Sequence, residues 1–106
     1  MKERYYSHFH LAGFTYYDGV DVFDRLKIGV TLEAKAEPDN RYDPNAVALY
    51  LDNVKLGYVP RMCNSDISKF FRLGHVHLFE FKINRVSADQ NPEKQISVVV
   101  RMNELK

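Results

Sequence analysis

Apolar and polar residues alternate most clearly in "IGVTLEAKAE", residues 28–37. Ile28, Val30, Leu32, Ala34 and Ala36 fall on one face, with Thr31, Glu33 and Lys35 on the other, the period-two pattern of a half-buried strand. A second apolar run, "HFHLAGF" (8–14), reads as a strand that breaks at "TYYDG". "NAVALYL" (45–51) and "VKLGYV" (54–59) flank Asp52-Asn53 and predict a hairpin. Pro60 ends it, having no N–H to offer a ladder.

Only "CNSDISKFFRLG" (63–74) has helical spacing. Ile67, Phe70 and Phe71 share a face, Asn64 or Ser65 is placed to cap the start, and Gly74 to close the end. "HVHLFEFKINRV" (75–86) predicts a strand burying Phe79, Phe81 and Ile83. "SADQNPEK" (87–94) is a polar loop, and "QISVVVRMNE" (95–104) predicts the last strand. Five to six short strands with one inserted α-helix predict a mainly β fold: a small, partly open barrel, OB-like or SH3-like, plugged by the helix.

At 106 residues one domain is expected. Apolar residues make up 45%, enough for a core without metal or disulfide staples. Net charge is only +1, so any contact with nucleic acid must be a local patch. The lone Cys63 excludes an internal disulfide and a cysteine zinc knuckle. The opening "MKERYYSHFH" has no signal-peptide core, and no run is long enough to span a membrane. A cytoplasmic location is the expectation.

The densest chemistry lies in "EPDNRYDPNAV" (37–47), with "TYYDG" and "GYVPR" as companions. Together they offer aromatic faces (Tyr16, Tyr17, Tyr42, Tyr58), short polar groups in turns (Asn40, Asp43, Asn45) and two guanidinium groups (Arg41, Arg61). Single-stranded nucleic acid uses this mixture: bases stack on aromatic rings at ~1–3 kcal/mol each, and phosphates meet arginine and backbone N–H. A carboxylate there repels phosphate but accepts strongly from a sugar hydroxyl, which favours a chain end over a continuous strand. From the residues alone, turn and strand-end preferences are the simpler account. Tyr and Arg are also enriched at protein interfaces, so a protein-interaction or targeting surface is the alternative.

Other chemistry is thinner. "HFH" and "HVH" each place two imidazoles at i, i+2, but no carboxylate sits at ligand spacing, and two unrelated strand pairs explain them more simply than a metal site. No nucleophile elbow, phosphate loop or calcium loop is present. The chain reads as a non-enzyme without a cofactor.

"GFTYYDG", "EAKAEPDNRYDPNAVALYL" and "KLGYVPR", in this order and spacing, resemble the HIRAN domain over roughly residues 8–102. The resemblance implies an OB-like barrel that binds the 3′ end of single-stranded DNA in repair or replication-fork work, alongside a helicase-like or nuclease partner. It places Tyr16 and Tyr42 at the aromatic positions that meet the end nucleotides. Asp43 takes the position that accepts from the 3′ hydroxyl, and Asn40 a polar contact beside it. Thr15 departs from the pattern, standing where a DNA-end-binding member carries arginine. Arg41 and Arg61 are then the candidates for phosphate.

Overall fold

The computed structural model describes residues 3–103. Six antiparallel strands form one sheet in the order β1-β6-β5-β2-β3-β4. They are β1 (Glu3–His10), β2 (Thr31–Ala36), β3 (Val47–Leu51), β4 (Val54–Tyr58), β5 (Phe79–Val86) and β6 (Ile96–Asn103). The one α-helix, α1 (Arg61–Arg72), lies between β4 and β5. Two 3₁₀ segments, Phe14–Tyr16 and Asp18–Arg25, link β1 to β2. The expected mainly β, partly open barrel with an inserted helix is what forms. Among the described residues, no helix is long and apolar enough to cross a membrane.

The core follows the strand alternation. Phe79, Phe81 and Ile83 of β5 are buried, as are Ile96, Val98 and Val100 of β6. Leu49, Leu56 and Leu11 fill the space between them, and Ile67 and Phe71 of α1 plug one end. Phe70 packs edge-on to Phe79, ring centroids 5.8 Å apart.

Several boundaries differ from the sequence expectation. β1 begins earlier and stops at His10, because the chain must leave β6 to reach β4. Phe14 is buried in a 3₁₀ turn rather than a strand. Ile28 lies before β2 and is 72% exposed; the turn closed by Val30 N–H to Lys27 O takes it off the buried face. His75 and His77 sit in a turn before β5 rather than in it, with Leu78 N–H donating to His75 O. The two histidine pairs therefore do not share neighbouring strands. Among the described residues no three or more His, Cys, Asp or Glu gather as metal ligands would.

The helix starts at Arg61, with Pro60 rather than Asn64 or Ser65 at its cap. Proline suits a helix entrance, where the first N–H groups have no intrahelical acceptor. Cys63 N–H to Pro60 O, 2.8 Å, opens the first turn. The C-terminus ends as expected. Gly74 has φ +90°, its N–H donates to Phe71 O, and His75 N–H donates to Phe70 O, the paired bonds of a Schellman closure. Asp52 and Asn53 both take positive φ, 50° and 70°, as a two-residue hairpin turn requires.

One residue pair brings the two edges of the sheet together. After β1, Leu11 N–H still donates to Ile96 O of β6, 2.9 Å. The next residue, Ala12, exchanges both backbone bonds with Tyr58 of β4, each 2.9 Å. Gly57 makes the approach possible: at φ +155°, a Cβ there would lie 2.3 Å from Ala12 O. Gly57→Ala is expected to combine that clash with a disfavoured backbone, on the order of 1–3 kcal/mol or more. Urea unfolding of the two proteins measures it, and equal midpoints would show that the closure tolerates a side chain.

Candidate nucleic-acid interface

The loop between β2 and β3 is built by its own side chains. Asn40 Oδ1 accepts from Tyr42 N–H, 2.9 Å, and from Asp43 N–H, 3.0 Å. Asp43 Oδ1 then accepts from Asn45 N–H, 2.9 Å. These are the short loops that Asn and Asp make with backbone a few residues ahead. Glu37 N–H to Ala46 O, 2.8 Å, closes the base.

Two further anchors fix the loop against its surroundings. On the helix side, Asn64 is almost fully buried, and its Nδ2 donates to Asp43 Oδ2, 2.8 Å. Arg61 donates from Nη2 to Tyr42 O, 2.7 Å, and its Nε lies 3.6 Å from Asp43 Oδ2. Arg72 Nη1 reaches Asn45 Oδ1 at 3.3 Å. On the barrel side, Asn40 Nδ2 donates to Glu37 Oε1, 3.0 Å. Tyr58 donates to the same oxygen, 2.6 Å, and accepts from Lys55 Nζ, 2.6 Å. Lys55 also reaches Glu37 Oε2, 3.0 Å, and sits over the rings of Tyr58 and Tyr17 at 4.4 and 4.7 Å.

This half-buried cluster shifts its own titrations. Burial pushes the Glu37 carboxyl up, but hydrogen bonds from Tyr58, Asn40 and Lys55, with the Lys55 charge, outweigh it and leave its pKa below the ordinary value. Burial and the bond to Glu37 push the Tyr58 hydroxyl up to about 12. Burial alone would lower Lys55, but its bonds to Tyr58 and Glu37 raise it.

Between the loop, α1 and the Ala12–Tyr58 junction lies a crevice of about 290 Å³. Tyr17, Tyr42 and Tyr58 contribute rings to it, Asn40, Asp43 and Asn64 polar groups, and Arg61 a cation. Of the residues singled out in the sequence, Tyr17, Asn40, Tyr42, Asp43, Tyr58 and Arg61 thus come together. Tyr42 is 83% exposed. Tyr16 does not line the crevice; it stands 84% exposed on the preceding 3₁₀ turn, beside Gly13. Arg41 is exposed and also outside the lining. Asn45 is outside the lining too, bonded to Asp43 and Arg72.

Sequence reasoning missed Glu37, Lys55 and Asn64. Lys55 and Tyr58 are three apart and should face opposite ways in a regular strand. The register of β4 against β3 shifts at Leu56, since Gly57 pairs with Leu49 and Lys55 with Tyr50, and this brings both side chains to Glu37. Asn64, one of two expected cap candidates with Ser65, instead gives its side chain to Asp43.

A small OB-like barrel carrying an aromatic and polar crevice at its closure is the class these features define. The sequence profile of the HIRAN domain matches residues 5–103, and the chain belongs to the HIRAN domain family. A protein from Lactobacillus plantarum has a similar crystal structure, at 21% identity and TM-score 0.78 over 95% of each chain. The HIRAN domain of human HLTF aligns at 16% identity and TM-score 0.62, over 94% of this chain and 76% of that one. At these identities both likenesses concern the fold. No curated protein sequence matches significantly.

Because the Glu37 carboxyl is held below its ordinary pKa in the folded state, it contributes its full stabilisation above the ordinary glutamate range. That contribution is lost as pH falls through the folded value. Thermal melts between neutral and acid pH should show Glu37→Gln less stable than the parent at neutral pH, with the gap narrowing in acid. A gap that stays constant with pH would mean the carboxylate charge plays no part.

Proposed function

We propose that the protein is a non-catalytic module that binds single-stranded DNA at a free 3′-hydroxyl end. The observation that carries this reading is the Asp43 carboxylate lining a crevice beside the exposed Tyr42 ring and the half-buried Tyr17 and Tyr58. Each carboxylate oxygen already accepts one hydrogen bond, from Asn45 N–H and from Asn64, and a carboxylate has about four acceptor sites. A sugar hydroxyl therefore still finds an acceptor. A volume of about 290 Å³ lies at the small end of ligand sites, which run from ~300 to 1,000 Å³. It suits a terminal nucleotide better than a length of strand.

Tyr42 supplies the stacking face, with Tyr17 and Tyr58 at the wall. Arg61 is 71% exposed along its side chain while it holds Tyr42 O, so its remaining donors can meet a phosphate. With Thr15 in place of an arginine, Arg61 takes on more of that work. Tyr16 and Arg41 lie outside the crevice and contact nucleotides further from the end. Membership of the HIRAN family, known for DNA-related binding, supports the ligand class. In a cell, such a module brings a helicase-like or nuclease partner to DNA ends during repair or at a replication fork.

Fluorescence anisotropy with oligonucleotides ending in 3′-OH or 3′-phosphate tests the reading. The hydroxyl end should bind more tightly, because a terminal phosphate sets negative charge against Asp43. Tyr42→Ala should weaken binding by about 1–3 kcal/mol. Equal affinity for both ends would remove end recognition, and an unaffected Tyr42→Ala protein would return that ring to the scaffold.

A further inference from the structure

The barrel is split on its far side, between β2 and β5. The two strands pair only at Thr31 and Leu32, while Glu33 to Ala36 continue alongside β3. Alternation fixes where each peptide group points. Glu37 N–H donates to Ala46 O, so the odd-numbered residues of this stretch face β3. Ile83 N–H donates to Val30 O, so the even-numbered residues face β5. Ala34 and Ala36 therefore aim N–H and C=O into the gap. On the opposite wall Gly29 N–H donates to Ile83 O, and Asn103 N–H of β6 donates to Leu78 O. Phe79 thus points its own peptide groups into the same gap. The register between β2 and β5 has no partner there for Ala34, Ala36 or Phe79.

The gap opens into a groove of about 910 Å³, three times the size of the crevice at the 40–46 loop and sharing no lining residue with it. Leu32, Phe71, Phe79 and Phe81 line it, Ala34 and Ala36 keep it shallow on the β2 side, and Val76 stands half exposed at the rim. The rim charges are matched: Lys35 lies 3.5 Å from Glu33, and Arg25 bonds Asp52 at 2.9 Å. Among the described lining residues Lys35 is the one lysine or arginine, so no row of cations invites phosphate. An unpaired strand edge over an apolar floor is the chemistry that recognises extended polypeptide, with main-chain bonds giving affinity and alternate side chains giving selectivity.

We propose that this groove binds an extended segment of another polypeptide by strand addition to β2. The added strand runs antiparallel to β2, like both existing neighbours, and bonds the N–H and C=O of Ala34 and Ala36. Its apolar side chains, at every second position, rest on Leu32, Phe71 and Phe79. The site is independent of the DNA reading and lets the same domain hold a protein while its crevice is occupied.

Amide hydrogen exchange on the ¹⁵N-labelled full chain makes the first measurement. Ala34 and Ala36 should exchange quickly while Glu33 and Lys35 are protected; protection at all four would overturn the open edge. Peptides of about seven residues, long enough to span β2 at ~3.3 Å per residue, are then selected from a random display library on the full chain and synthesised. A selected peptide should protect the Ala34 and Ala36 amides and shift resonances at Val76 and Phe79, leaving Tyr42 and Asp43 unmoved. N-methylation at its alternate residues should abolish binding, and Val76→Asp, at the exposed rim, should weaken it by about tenfold or more, ~1.4 kcal/mol. The proposal fails if no peptide is enriched, if selected peptides move the crevice resonances instead, if N-methylated peptides bind as well, or if a thymidine oligonucleotide rather than peptide fills the groove.

Discussion

The paired backbone bonds between Ala12 and Tyr58 are the constraint from which the rest of the site follows. They draw the chain after β1 across to β4 and fix where Tyr17 emerges beside Tyr58, ring centroids 5.7 Å apart. They require the cleared space at Gly57 and sit next to the register shift at Leu56. That shift turns Lys55 and Tyr58 toward Glu37. Glu37 holds Asn40, and Asn40 holds the amides of Tyr42 and Asp43. The 40–46 loop is therefore ordered by a chain of bonds starting at the barrel seam.

The proposed DNA site holds two carboxylates, and electrostatics explains how they fit it. Glu37 is neutralised by Lys55 and occupied by Tyr58 and Asn40, so its charge is spent inside the cluster. Asp43 faces the crevice, but Arg61 and Asn64 share its field. A phosphate beside it still meets repulsion at short range, where screening by salt is weak. A hydroxyl meets an acceptor. On the proposed reading, the site discriminates by what it disfavours as well as by what it holds.

Much of the architecture could be read from the chain because local rules and tertiary demands agreed. The hairpin at Asp52-Asn53, the Gly74 closure and the Phe79-Phe81-Ile83 face all formed as their residue types require. The disagreements sit where tertiary contacts took over. The helix gave up Asn64 as a cap because Asp43 needed its amide, and Pro60 served the entrance instead. The "HVH" histidines left the strand because Leu78 turns the chain back into the core. In the site, Tyr42, Asp43, Asn40 and Arg61 were legible from their dense motif, whereas Lys55 depended on a register shift that no periodicity announces. Tyr16 and Tyr17 were both legible as candidates, and the 3₁₀ turn puts Tyr17 in the crevice lining while Tyr16 stands outside it.

The central claim of the proposed function is that a DNA end is held between the 40–46 loop and the start of α1. Titrating the ¹⁵N-labelled chain with a short thymidine oligonucleotide bearing a 3′-hydroxyl, and mapping the shifted amides, tests it most directly. The account predicts changes concentrated at Tyr17, Asn40 to Asp43, Tyr58 to Arg61 and Asn64. Saturable binding that leaves those amides still and moves another face of the barrel would contradict it.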